Sequence, residues 1–232
     1  MKRAIAYERV RAFTIRSTFV FPLAGVAFTW AIALFLILTA PAGSDIGLAG
    51  LVGQVYSPIS ALFVTIPFAQ AFGHDYRDGT IRLTLGEFPN RTQVYLAKLI
   101  VPAVVAVCAV IIAVLGVAVI ATLGPSSGFD ALPALLLRES LFTVMWGVMV
   151  AAITVLTRSM PAGVTGLLIW WLLGEQLIGS LLSKFPFVFN LLPLNNGVLW
   201  AQSGAVQPGL IMLLATVVLG AVGYVRFTRR DA

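Results

Sequence analysis

Long apolar runs alternate with short polar ones along this chain. Most of the apolar runs hold the ~17–25 residues a helix needs to cross a bilayer. Six stand out, at about Phe19–Ala40, Leu51–Phe72, Leu96–Leu123, Ser140–Thr157, Pro161–Leu181 and Pro208–Val225. Backbone polar groups in hydrocarbon must be satisfied within their own segment, so the pattern predicts an all-α, polytopic membrane protein with six spans. Residues 1–232 read as a single transmembrane domain.

The longest polar interruption, Phe72 to Ile100, carries four bases (Arg77, Arg82, Arg91, Lys98) and three acids (Asp75, Asp78, Glu87). Charged groups in such a loop keep their hydration on the aqueous side of a membrane. Gly79 interrupts any helix continuing from the span before it, and Thr80 is placed to cap a new one. In that short helix Ile81 and Leu85 share a face, while Arg82 points elsewhere. Pro89 disfavours helical backbone at Phe88 and ends it. Asn90 followed by Gln93 reads as a capping box opening the next span. The expected order is helix, break, short amphipathic helix, break, helix.

Residues DYRDGTIRLTL followed by FPNRTQVYLAK resemble the signature of type-2 ATP-binding-cassette (ABC) exporter permeases, roughly E-Y-x-x-G-T-I-R-x-x-L and then P-x-R-x-x-V-x-x-A-K. The matching positions are Tyr76, Gly79, Thr80, Ile81, Arg82, Leu85, Pro89, Arg91, Val94, Ala97 and Lys98, with Asp75 where the family usually has Glu. The resemblance implies that the loop at residues 74–93 is a cytoplasmic coupling helix meeting a separate ABC ATPase subunit. Asp75, Tyr76, Gly79, Thr80, Ile81, Arg82, Leu85 and Arg91 would serve that contact, with Ile81 and Leu85 inserting into a groove of the ATPase. It further implies a homodimer, or a heterodimer with a related permease, in the cell's inner (plasma) membrane. The N-terminal stretch YERVRAFTIRSTF is similar to a subgroup pattern, E-x-x-K/R-x-x-T-x-R-S-T, found in bacterial permeases that export peptide antibiotics or other drugs.

Residues 1–18 are basic (Lys2, Arg3, Arg9, Arg11, Arg16) with one acid, Glu8. Ala6, Val10 and Phe13 lie at helical spacing, which predicts an interfacial helix. A plain positive-inside anchor on anionic lipid is the other reading of the same residues. With both termini and the 74–93 loop inside, 13 of the 15 basic residues are cytoplasmic, leaving Arg138 and Lys184 outside. That bias sets the expected orientation. Phe19–Ala40 exceeds the ~7–15 residues of a signal h-region and reads as a true span.

Pro58 and Pro67 predict kinks in the second span. Arg138 and Glu139 open the fourth and read as interfacial. Residues 183–207 mix Phe185, Phe187, Val188, Phe189, Leu191 and Leu192 with Pro186, Pro193, Asn190, Asn195 and Asn196. The segment is too broken to span and too apolar for a plain loop, which predicts an extracellular re-entrant or surface helix, as in the family resembled. Glu175, beside Gln176, is the outstanding ionisable residue within a span. A carboxylate in hydrocarbon costs about 2.5–3.5 kcal/mol on insertion scales, so it should face protein or a wet cavity. Two roles stay open: lining a substrate path, or hydrogen-bonding the 183–207 segment.

A 59% hydrophobic, 10% charged chain with mean hydropathy +0.99 is far from the ~25% charge of soluble domains. The net charge of +6 does not point to nucleic acid, because the bases flank apolar runs rather than forming one patch. The lone Cys108 sits in an apolar run and reads as packing. Lys2, Lys98 and Lys184 follow Met1, Ala97 and Ser183, so none completes a P-loop, and the chain cannot hydrolyse ATP by that mechanism. His74 is the sole histidine, which leaves no His-based metal cluster or cofactor site to expect. Residues 124–128 match G-x-S-x-G by chance, since that elbow needs a strand before it. With the resemblance, the sequence reads as a non-enzymatic ABC exporter permease subunit. The alternative is a stand-alone ion-coupled carrier built on Glu175.

Overall fold

The computed structural model of the chain describes residues 1–41, 47–56, 59–88, 90–124, 127–181, 186–189 and 191–230, and these contain helices and no strand. In chain order the helices are α1 (Lys2–Thr14), α2 (Ser17–Thr39), α3 (Leu48–Val55), α4 (Ile59–Arg77), α5 (Ile81–Glu87), α6 (Arg91–Ala121) and α7 (Leu132–Thr157). They continue as α8 (Met160–Ile169), a π-helical turn (Trp170–Glu175), α9 (Gln176–Leu181), α10 (Pro186–Phe189), α11 (Pro193–Ser203) and α12 (Val206–Arg230). Among the described residues five helical rods are long and apolar enough to cross a membrane: Ser17–Thr39, Arg91–Ala121, Phe129–Thr157, Met160–Leu181 and Val206–Arg229. The chain has the composition and architecture of a multi-pass membrane protein.

The second expected span is the one for which no single described helix is long and apolar enough to cross a membrane. Leu51–Phe72 falls on α3 and α4, and residues 57–58 at their junction lie outside the described residues. Pro58, which was expected to kink it, lies outside the described residues, as does Pro89. Pro67 leaves α4 continuous, as Pro102 does α6. In α4 the last turn before Arg77 is polar, with His74 and Asp75 following Gly73, and this lowers the helix below the hydropathy of its neighbours.

Helix α7 is the hub, packing against α4, α6, α8, α11 and α12. More than half of its span is buried, 56%, against 17% for Met160–Leu181, so the latter's apolar side chains face outward. Trp146, Phe142 and Met149 on α7 are fully or almost fully enclosed. Small residues allow the close approach that holds helices together where hydrophobic driving force is weak. A methyl group at Gly147 would collide with the Phe68 ring of α4.

Contacts sort the connections into two ends. At one end Met160 covers Gly73, and Arg91 Nη1 donates to the Thr228 carbonyl at the end of α12, 2.5 Å away. Phe72, Tyr95, Tyr224 and Phe227 form an aromatic cluster there, with ring centroids 5.5–5.8 Å apart. At the other end Leu48 N–H donates to the Ser127 carbonyl, Gln202 Nε2 to the Gly53 carbonyl, and Gly204 lies against Arg138. Arg138 and Glu139 do not open α7 but lie two turns inside it. Glu139 is fully buried against the rest of the bundle, α7 beginning at Leu132, ahead of the apolar run.

Candidate functional site

The loop after α4 folds as its residues dictate. Gly79 sits at φ +68°, the left-handed backbone that side chains with a Cβ avoid, and the chain turns there into α5. Thr80 is the N-cap residue but makes no capping bond. Its hydroxyl donates instead to Asp75 Oδ1 at 3.0 Å. Asn90 caps α6 as its sequence predicts, its Oδ1 accepting from Gln93 N–H at 3.2 Å.

α5 turns its apolar stripe toward the bundle. Ile81 and Leu85 do share a side, but that side packs, half-buried, on the bundle's own core, as do Tyr76 and Phe88. Thr84 between them is buried. The outward face carries Arg82, Leu83, Gly86 and Glu87, and Leu83 is 74% exposed. Helical spacing fixes which residues share a face, whereas the bundle determines which face turns inward. Exposed Arg77 and Asp78 pair on the same outer surface, Arg77 Nε to Asp78 Oδ1 at 2.8 Å. This bond holds the Asp78 carboxyl below its ordinary value.

Behind α5 lies a charge cluster that joins three helices. Lys98 of α6 is fully buried, and its Nζ donates to Glu8 Oε1 of α1 (2.7 Å), Asp75 Oδ2 of α4 (2.5 Å) and the Ala71 carbonyl (2.9 Å). All three ammonium protons are thereby used. Arg11 of α1 places Nη2 2.9 Å from Asp75 Oδ1, and Nη1 3.4 Å from Glu8 Oε2 and 3.3 Å from the Ala71 carbonyl. Two acids and two bases sum to zero formal charge in a site almost shut off from solvent. Such a group is held only while every member is present. Because Thr80 bonds to Asp75, the start of α5 is tied into it.

His74, one residue before Asp75, is half-buried beside the cluster. Burial first, then the positive charges of Arg77 and Arg11, lower its pKa below the ordinary histidine value. A cleft of about 440 Å³ opens here between α1 and the α4–α5 turn, with Tyr7, Arg11, His74, Asp78 and Thr80 on its walls. Of the residues expected to serve the loop, Asp75 is an interior charge and Tyr76, Ile81 and Leu85 pack inward. Arg91 anchors α12, and Arg82 alone among the charged ones faces out. The meeting of Glu8, Arg11 and Lys98 is a tertiary feature that leaves no local signal in the order of the residues.

Glu175 lies elsewhere, and its geometry is that of a cap. The π-turn carries it, fully buried, to the first turn of α11. Oε1 accepts from Leu194 N–H at 2.9 Å and Oε2 from Asn195 N–H at 2.7 Å. Helix N-termini leave such N–H groups unpaired within the helix and carry partial positive charge, so a carboxylate there is stabilised. Gln176 Nε2 reaches Asn195 Oδ1 at 3.4 Å, extending the join. Both oxygens are engaged with the segment after α9, which is the second of the two roles left open for Glu175. Of residues 183–207, 183–185 and 190 lie outside the described residues, and the segment contains α10 and α11.

No protein-family model and no curated protein matches the chain. Among the described residues no group of three or more His, Cys, Asp or Glu side chains is arranged to hold a metal ion.

Proposed function

We propose that this chain is the membrane-spanning permease subunit of an ABC exporter, moving substrate out of the cytoplasm with ATP hydrolysed by a separate subunit. The observation that carries the reading is the form of the α4–α5–α6 connection. A short helix, set off by a left-handed glycine, is fastened by a buried ion cluster to two long helices and to α1. A load on α5 would be passed to α1, α4 and α6 together, which is what a coupling element requires. In this reading α3 and α4 together make the second of six crossings. The sorting of the connections into two ends supports that count, with both termini and α5 on the cytoplasmic side. Two copies, or this chain and a related one, would enclose the pathway, and closure of the ATPases would shift it between inward- and outward-open states. The segment of α10 and α11 would lie at the outer surface, held there by Glu175.

The docking face is the outward one, centred on Leu83 and flanked by Arg82 and Glu87. Burying one leucine is worth about 1.5–3 kcal/mol, roughly tenfold or more in affinity. An exposed ion pair at the rim contributes about 0–1 kcal/mol. Tagged chain purified from its native membrane should carry a Walker-type ATPase, and Leu83→Asp should remove it while Arg82→Ala only weakens the association. Recovery of the chain without any Walker-type ATPase, or retention of the ATPase by Leu83→Asp, would overturn the assignment.

A further inference from the structure

The ion cluster does more than hold α1 in place, because it sorts that helix's charges. Glu8, its one acid, turns inward to Lys98, and Arg11 follows it. Lys2, Arg3 and Arg9, with Arg16 just beyond the helix, remain exposed. The exposed charges of α1 itself are therefore all basic, and Glu87 of α5 shares a cleft with Lys2 and Arg3 but not with Arg9, a charge distribution around Arg9 complementary to an anionic surface.

Beneath that side runs an apolar groove of about 430 Å³, bounded by α1, α2 and α6. Ile5, Arg9 and Phe13, four residues apart along α1, form its roof, and Arg9 is the one charged side chain lining it among the described residues. Pro22 and Val26 form the α2 wall, and the α6 wall runs from Ile100 past Cys108 to Ile112. Twelve residues of helix span about 18 Å, close to the ~15 Å of one leaflet in a ~30 Å hydrocarbon core. A groove with walls this apolar at that depth is wetted by hydrocarbon, and a basic group stands only at its headgroup end.

We infer that the α1–α2–α6 groove seats one acyl chain of an anionic phospholipid whose headgroup lies against Arg9. The site is independent of the transport reading and requires only that the chain sit in a bilayer. Its occupant bridges the interfacial helix to the two membrane helices that flank it, so α1 is held from inside by Lys98 and from outside by lipid.

Cys108, the chain's single cysteine, is not packed in the core as its apolar run suggests but lies exposed in the groove, which makes it a built-in reporter. The full chain is reconstituted in phosphatidylcholine vesicles, with or without phosphatidylglycerol, and alkylated with a neutral apolar maleimide. Phosphatidylglycerol should slow Cys108 alkylation about fivefold, the weight of one basic residue at an anionic surface. Arg9→Gln should bring the two rates together. Lys2→Gln, equally exposed but off the groove, should keep the protection. Both residues are exposed and outside the core, so neither change should prevent folding. Equal rates for the unmodified chain in the two lipids would overturn the site. So would equal loss of protection in Lys2→Gln and Arg9→Gln, which would mean diffuse surface charge. Protection that depends on protein density and not on lipid charge would assign the groove to a second copy of the chain and overturn it as well.

Discussion

Lys98→Met is the sharpest test of the buried charge cluster. The substitution keeps a long side chain in the same space and removes one positive charge, so the cluster goes from zero to minus one, with Glu8 and Asp75 facing Arg11 alone. Three hydrogen bonds, at 2.7, 2.5 and 2.9 Å, are lost together. Breaking a buried ion pair from one side typically costs about 3–5 kcal/mol, because a charge is left without compensation. At ~2–4 °C per kcal/mol for a chain of this size, the melting temperature should fall by roughly 6–20 °C. Asp75→Asn alone should also destabilise, by leaving the cluster at plus one. The double variant Lys98→Met, Asp75→Asn restores neutrality, with Glu8 and Arg11 as the remaining pair, and should be far more stable than the sum of the two losses predicts. Thermal unfolding of all four proteins in nanodiscs gives the cycle, and a coupling above about 1 kcal/mol is expected for residues in one network. A Lys98→Met protein melting within a degree of the unmodified chain, or strictly additive losses, would refute the claim that these charges stand or fall together.

Other expectations follow from the remaining contacts. Glu175→Gln keeps the volume but has one acceptor oxygen where two are needed. It should lower stability by about 0.5–2 kcal/mol, as loss of a helix cap does, seen as a lower melting temperature with transport per folded molecule unchanged. Gly79→Ala meets no neighbouring atom, so its effect is left-handed backbone strain alone, about 1–2 kcal/mol, and Gly79→Asn should recover part of it. His74, held below its ordinary value, binds its proton less readily folded than unfolded. Its contribution therefore falls away as pH drops below about 6.5 and levels off below the folded value, and melting temperatures measured against pH should lose that slope in His74→Gln.

How far these features were legible differs residue by residue. Gly79 announced its turn because a positive φ is a local demand that glycine meets, and Asn90 with Gln93 announced the start of α6 for an equally local reason. The inward face of α5 was not legible. Ile81 and Leu85 at four-residue spacing describe a docking stripe and a core stripe equally well, and only the neighbouring helices decide between them. The cluster was harder still. Its closest ion pairs join residues 90 and 23 positions apart, and nothing in the order of the chain says that Glu8 and Lys98 meet. Hydropathy counted α3 and α4 as one run, because an apolar average does not register where one helix ends and the next begins.

The π-turn at Trp170–Glu175 bears on how this chain should be compared with others. A π-turn is an α-helix that has taken in one extra residue, so the helix after it is displaced by one position, about 100° of rotation, from the register before it. Shortening the stretch by one residue, for instance by removing Leu172, would return it to α-helical winding and swing Glu175 away from the N–H groups of Leu194 and Asn195. In a homologue lacking the turn, the residue capping α11 would therefore align one column away from Glu175. A gap belongs within residues 170–175 of any such alignment, and a column that shows the acid as missing there would be reporting a shift of frame, not the loss of the contact.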